Sequence, residues 1–309
     1  MLKSGNKTGA RFALPVLFLG ATAIGFAPIF VRLSEVGPAA TAFWRIALAL
    51  PFLSAWMKID ESKYPYRKKP ELKKDVPRLA LAGFLFAGDL AVWHWSIHYT
   101  TVANATLLAN LAPIFVTLGA GVIFRERVTV KFLAGMIIAL SGAFILMGNS
   151  LKISARFLAG DALGVLTAVF YGSYILTVNR LRKNYSTPAI MTWGGVAFLI
   201  AIIPIVLISG EGMISPSVRG WMVLVGLALI SQVCGQGFIA FSLAYLPAPF
   251  ASVSLLVQPM MAAIFAWIIL GEGVGGLQIL GGIVIIAGII MARRASFKER
   301  KKFHPTDDQ

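Results

Sequence analysis

Residues 83–127 read GFLFAGDLAVWHWSIHYTTVANATLLANLAPIFVTLGAGVIFRER. Two apolar segments meet there at a short polar turn around Tyr99–Thr101. The first carries Asp89, the only acidic residue well inside an apolar segment of the chain, with Trp93, His94 and Trp95 beside it. The second carries Asn104, Asn110 and Pro113 and ends on Arg125, Glu126 and Arg127. Each segment is near 20 residues, which at about 1.5 Å per residue crosses roughly 30 Å of hydrocarbon. A carboxylate among aromatics is expensive in that medium and marks a candidate functional site. The stretch predicts two membrane-crossing helices with a polar site on them.

The same pattern continues outward. Of 309 residues, 58% are hydrophobic and 13% charged, with mean hydropathy +0.79; a soluble domain carries about 25% charged residues. Ten spans are predicted, near 12–31, 38–57, 77–97, 102–124, 130–148, 158–178, 188–209, 219–240, 247–270 and 275–292. The fold class is therefore all-α integral membrane. The net charge of +15 does not point to nucleic acid, because the basic residues cluster between apolar spans, where topology explains them. The one cysteine, Cys234, lies within a span and is expected as a small packing residue; it allows no intrachain disulfide and no cysteine metal site. Lys3, Lys7 and Arg11 precede the first span as in a signal peptide, but its apolar run is longer, so it reads as an uncleaved first helix.

Loop charges set an expected orientation. With the N-terminus inside, 23 of the 28 Lys and Arg residues fall in inside segments, eight of them in the 58–78 loop. Outside segments hold four, Arg32, Lys152, Arg156 and Arg219, and Arg45 lies within the second span. The bias predicts both termini in the cytoplasm of a bacterial cell, and the inner membrane as the location.

A shift of 146 residues superimposes the halves: Ser96 on Ser242, Tyr99 on Tyr245, Ala105 on Ala251, Pro113 on Pro259, Glu126 on Glu272, Gly135 on Gly281 and Gly142 on Gly288. This is a duplication, with units expected at 1–149 and 150–309. Five spans per half, an odd number, turn the second copy upside down. Two inverted five-helix repeats follow, an arrangement that places a binding site near the bilayer midplane.

The doubled Pro…Glu…Gly…Gly series and the segment WHWSIHYTTVANATLLANLAP resemble the drug/metabolite transporter superfamily, specifically its ten-helix EamA-type members, over residues 12–292. The resemblance implies a secondary transporter with a cavity lined mainly by helices 1, 3, 4, 6, 8 and 9. It also implies export, and leaves the substrate open among amino acids, drugs, nucleotide sugars and other metabolites.

Candidate cavity-lining or substrate-binding residues are Asp89, Trp93, Ser96, Asn110, Tyr171, Tyr174, Gln232, Gln236 and Gln258. Trp93 at i+4 and Ser96 at i+7 share the helical face of Asp89, and Asp89 is the candidate coupling group, since a carboxyl held in hydrocarbon can take up a proton. A structural Asp89, paired against Arg45, is the competing reading. Gln232 and Gln236 share a face by i, i+4 spacing. Asn110 and Gln258 precede the matched Pro113 and Pro259, which free backbone carbonyls for reuse around a cavity. Arg45 is expected in a charge pair or on an anionic substrate group; Glu126 and Glu272 are expected to tie helix ends.

His94 and His98 have i, i+4 spacing but lie about 140° and 180° around the helix from Asp89, and the third histidine, His304, is in the tail. No metal site is expected. The last span of each half presents small residues for packing, Gly135 and Gly142, then Gly281, Gly282 and Gly288. Walker, HExxH and GxSxG patterns are absent and no GxGxxG loop sits in a strand–helix context, so no cofactor or catalytic residue is expected.

The sequence thus predicts an alternating-access carrier of small organic metabolites such as amino acids, with the lipid bilayer and protons as its other partners and its oligomeric state open. Import or exchange of a nucleoside-like metabolite such as S-adenosylmethionine is the alternative within transport. A membrane-embedded enzyme would need a convergent nucleophile and base, and an interaction protein would not need a polar, proline-broken midplane. One deep cation and no basic cluster predict an amphipathic, zwitterionic or weakly charged solute and argue against a nucleotide sugar.

Overall fold

A computed structural model describes residues 5–303 except 66–68, 72 and 149–156. Lys3, Lys152, Arg156 and His304 fall outside the described residues, as do the side chains of Lys7 and His94. Among the described residues, ten helices are long and apolar enough to cross a membrane: span 1 Gly9–Leu33, span 2 Pro38–Lys63, span 3 Val76–Tyr99, span 4 Asn104–Phe124, span 5 Val130–Met147, span 6 Leu158–Leu181, span 7 Thr187–Ser209, span 8 Val218–Ser242, span 9 Ala248–Leu270 and span 10 Gly276–Ser296. Their outer flanks carry exposed apolar side chains such as Leu118, Val122, Ile137, Ile200, Leu207 and Ile283, as lipid-facing surfaces do.

Local chemistry sets the helix limits. Side-chain oxygens of Thr101, Thr129, Ser186 and Ser217 accept from the backbone N–H three residues on and start their helices. Span 4 ends on Arg125 at φ 55° and span 9 on Gly271 at φ 70°, equivalent positions under the 146-residue shift. Four spans break where proline cannot supply an interior N–H. Span 1 breaks at Phe26 ahead of Pro28, and span 2 at Leu48–Ala49 ahead of Pro51. Span 4 breaks at Asn110–Leu111 ahead of Pro113, and span 9 at Leu255–Leu256 ahead of Pro259. Span 8 turns π-helical over Leu227–Gln236.

The packing has the symmetry of an inverted pair. Span 3 packs on span 6 as span 8 packs on span 1; span 4 packs on span 6 as span 9 packs on span 1. Spans 2 and 7, 4 and 9, and 5 and 10 pack on their own equivalents. The seam between spans 5 and 10 shows the inversion. A Cβ at Gly135 would lie 2.6 Å from Ala292 N and 2.9 Å from Gly288 O, and one at Gly142 would lie 2.5 Å from Ile285 N and 2.8 Å from Gly281 O. The contact descends one helix as it climbs the other, so the pair is antiparallel. Gly135 meets the partner of Gly142, and Gly142 the partner of Gly135, the reciprocity of a two-fold contact. Only glycine allows backbones this close.

At the end of the bundle remote from the termini, two carboxylates cap each other's repeat. Glu35, in the span 1–2 loop, accepts from Ser215 Oγ at 2.7 Å and Ser217 Oγ at 2.7 Å, at the start of span 8. Glu211, in the span 7–8 loop, accepts from Ala40 N at 2.9 Å, in the first turn of span 2. Both charges face helix N-termini, where the backbone dipole favours them. The serine hydroxyls hold the Glu35 carboxyl below the usual range. Arg32 bonds Glu272, joining the far ends of spans 1 and 9. At the opposite end Lys183 lies over the Phe124 ring. Burial pushes the Glu126 carboxyl there above its ordinary range, with Lys183 opposing the shift. Glu126 and Glu272 thus sit at helix ends, each in electrostatic contact with a cation at the end of another span.

Candidate functional site

Between the repeats lies a cavity of about 370 Å³, within the size range of small-molecule sites. Its deep part is lined by Arg45 of span 2, Phe86 and Asp89 of span 3, Tyr171 of span 6, Gln236 of span 8 and Gln258 of span 9. From there the lining runs out to Val31, Pro38 and Met147, at the ends of spans 1, 2 and 5 remote from the termini. Each deep polar residue comes from a different span, so the tertiary packing alone assembles the group.

The charges are held but not joined. Arg45 is 8% exposed, donates from Nε to Gln232 Oε1 at 2.9 Å, and sits with its guanidinium carbon 5.5 Å from the Phe86 ring centre. Asp89, also 8% exposed, makes no hydrogen bond or salt bridge among the described residues. Tyr171 stacks 6.1 Å from Tyr174 and its hydroxyl interacts with the amides of Gln258 and Gln236. Gln236 Oε1 and Gln258 Nε2 are buried without a hydrogen-bond partner, a state that is costly in a dry interior and unusual in a native protein.

Several candidates stand elsewhere than the sequence placed them. Ser96 is not in the cavity lining: its Oγ donates to Gly160 O at 2.7 Å. It shares the Asp89 face, but two turns further out, where span 6 closes on span 3; a Cβ at Gly160 would lie 2.5 Å from Thr100 N. Tyr174 lies behind the lining, 5% exposed and stacked on Phe86 at 5.0 Å, because its turn of span 6 packs into span 3. Gln232 is also behind the lining, its carboxamide oxygen taken by Arg45. Gln236, one turn further along span 8, does reach the cavity. Asn110 lines the cavity and donates from Nδ2 to Thr106 O at 3.0 Å across the span 4 break. Trp93 and Pro259 line it as well, while Pro113 is buried behind. Cys234 is exposed on the flank of span 8 and is not a packing residue, and His98 is exposed near the end of span 3.

Spans 2 and 5, outside the set of helices that the resemblance implies, also line the cavity. Arg45, Thr41 and Pro38 place span 2 in the wall, and Leu146 and Met147 place the end of span 5 there. Nothing in the period of span 5 distinguishes a cavity wall from a packing face. A lone arginine in span 2 was the available signal.

A second hollow, about 600 Å³, opens at the end bearing the termini, lined by Arg125, Glu126, Lys183, Leu243, Tyr245 and Pro249 among others. It shares no lining residue with the cavity. Along span 9 the two are separated from Pro249 to Gln258, about 13 Å of helix, and Phe250–Val257 are buried throughout. Asn179 Nδ2, donating to Leu243 O at 2.7 Å, and Arg182 Nε, donating to Ala240 O at 3.1 Å, tie span 6 to span 8 across this plug.

A ten-span bundle of two inverted repeats around a midplane cavity is the architecture of a membrane carrier. The model of the EamA-like transporter family matches residues 11–148 and 158–294, once per repeat. The chain belongs to that family, and so to the drug/metabolite transporter superfamily. It is 25% identical over 291 residues to a "Probable terminal-alkyne amino-acid exporter" of Streptantibioticus cattleyicolor, covering 93% of this chain and 94% of that protein. It is 24% identical over 223 residues to the "Pseudopaline exporter CntI" of Pseudomonas aeruginosa, covering 72% and 76%. It is 27% identical over 228 residues to a "Probable amino-acid metabolite efflux pump" of Salmonella typhimurium, covering 69% and 76%. A solved crystal structure superimposes with a TM-score of 0.76 at 15% identity, over 95% of this chain and 99% of that one; the likeness is one of fold.

Proposed function

We propose that this transporter exports small organic metabolites, such as amino acids or related amphipathic solutes, across the plasma membrane by alternating access, with Asp89 as its proton-coupling group. The observation that carries the reading is the cavity itself. It runs from the midplane to one end of the bundle and is sealed toward the other by about 13 Å of buried helix. Two repeats of inverted topology, 1–149 and 150–309, give such a molecule a mirror state: exchanging the conformations of the repeats opens the sealed end and closes the open one. With the termini in the cytoplasm, as the loop charges argue, the open end faces outward and the sealed end inward. Asp89 lines the cavity with no hydrogen bond or salt bridge among the described residues, open to both a proton and a solute. The names of the relatives support export of amino-acid-like compounds.

The test is flux in proteoliposomes of the purified chain, with labelled phenylalanine, leucine and methionine offered with and without an imposed pH gradient. Saturable movement that the gradient accelerates is expected. Movement no faster than in empty liposomes for every solute overturns the reading.

A further inference from the structure

Arg45 is a cation with one edge committed and one edge free. Its Nε is fixed by Gln232 Oε1 at 2.9 Å and its plane lies by Phe86. Its terminal nitrogens meet no carboxylate among the described residues and are not among the buried polar atoms left without a partner, so they face the cavity space. Asp89 on the adjoining wall is also without a direct partner. Two opposite charges that share one low-dielectric cavity and do not pair are each undercompensated. A ligand bearing both signs a few ångströms apart satisfies both at once.

The surroundings orient that ligand. The unpartnered Gln236 Oε1 and Gln258 Nε2 lie at the floor beside Tyr171. Outward of the charges the wall is apolar: Trp93 lies one turn beyond Asp89, about 6 Å along the axis, and Pro38 about 10 Å beyond Arg45, with Val31 and Met147 beside them. We infer that the cavity is a head-first site for α-amino-acid-type zwitterions. The carboxylate takes the two free guanidinium nitrogens of Arg45 in a bidentate pair, the ammonium takes Asp89, and an apolar side chain points toward the open end between Trp93, Pro38 and Met147. Gln232 is the positioning residue that turns the guanidinium fork inward. A plain amine leaves Arg45 uncompensated, and a plain carboxylate leaves Asp89 so. This inference rests on the transporter reading above and adds the ionic form and pose of the solute.

The experiment uses full-length protein with matched probes: L-phenylalanine, 2-phenylethylamine, 3-phenylpropionate and L-phenylalaninamide, and the corresponding leucine set. Thermal stabilisation and competition for flux are read for each. The zwitterions are expected to act at concentrations at least tenfold below the amine, acid and amide of the same skeleton. Arg45→Lys, which keeps the charge and removes the fork, is expected to abolish that preference. Gln232→Glu is expected to do the same in folded protein, by giving Arg45 an internal carboxylate. Equal action of the amines, or a preference that survives Gln232→Glu, overturns the inference while leaving transport standing. If Arg45→Lys does not fold, the probe series on the native chain and on Gln232→Glu decides. Failure of every probe, charged or neutral, to bind or to move overturns the inference together with the transporter reading.

Discussion

Arg45 Nε donates to Gln232 Oε1 at 2.9 Å, and the two residues lie on spans 2 and 8, in different repeats. The bond gives the midplane arginine its one direct hydrogen-bond partner among the described residues and ties the first repeat to the π-helical stretch of the second. Hydrogen bonds to a charged group contribute about 1.5–3 kcal/mol. Gln232→Ala is expected to lower stability by that order, and Gln232→Glu to restore most of it, since a carboxylate also accepts from Nε. Thermal unfolding of the purified variants in one detergent reads both; a Gln232→Ala protein as stable as the native one would show the bond to be energetically idle.

Asp89 lines the cavity without a direct partner, so its loss removes a titrating group and breaks no bond. Asp89→Asn is expected to fold normally and to carry solute by exchange only, with weaker affinity for the zwitterion, while losing the response to an imposed pH gradient. Full gradient dependence in this variant would rule Asp89 out as the coupling group. Loss of folded protein would favour a structural role.

The glycine seam between spans 5 and 10 leaves no room for side chains. A Cβ at Gly142 would lie 2.5 Å from the backbone N of Ile285. Gly142→Val is expected to cost about 1–3 kcal/mol, the usual scale of overpacking. Gly148→Ala, where a Cβ would meet nothing within 4 Å, is expected to leave stability unchanged. Equal melting temperatures for the two variants would show the seam to be loose.

The Glu35 clasp has a definite pH dependence. Hydrogen bonds from Ser217 and Ser215 hold the Glu35 carboxyl below the ordinary glutamate value of 4.5. A carboxyl with a depressed folded-state pKa stabilises above its unfolded value and loses that contribution as pH falls through the folded one. The clasp is therefore expected to hold through pH 5 and to release below 4.5. The doubly substituted Ser215→Ala, Ser217→Ala protein, with no hydroxyl left to donate to Glu35, is expected to lack the clasp at every pH and to show no such change. Melting temperature followed against pH reads the release, as a fall below pH 4.5 present in the native chain and absent from the double variant; identical profiles for the two proteins would falsify the assignment.

Topology is tested by single-cysteine labelling in a Cys234→Ala background. Lys69→Cys is expected to react only after the membrane is permeabilised, and Gly212→Cys in intact cells. Spans 3–7 lie between the two positions; the same result at both would remove that odd number of crossings and, with it, the inversion.

The apolar runs fix ten crossings, because a hydrocarbon layer of given thickness demands a given length of apolar helix. The predicted limits fall within a few residues of most observed span ends, and within six at the end of span 2. The 146-residue shift fixes the duplication, and an odd number of spans per copy forces the inversion. The spacing of Pro113 and Pro259 fixes where spans 4 and 9 break, since proline removes its own interior N–H wherever it stands. Asp89, Trp93, Asn110, Tyr171, Gln236 and Gln258 were legible as polar or aromatic exceptions in apolar helices, and the structure gathers them around one cavity. Tertiary structure alone decided which exceptions reach the lumen. Ser96 lies on the face of Asp89, yet span 6 closes over it. Tyr174 is one turn from Tyr171, yet faces Phe86. Gln232 and Gln236 share a face of span 8, yet Arg45 of the other repeat packs against the first, and only the second reaches the cavity. Helical spacing specifies a direction around one axis. What stands in that direction depends on how close the neighbouring helix comes, and that distance is set by small residues such as Gly160, far away in the chain.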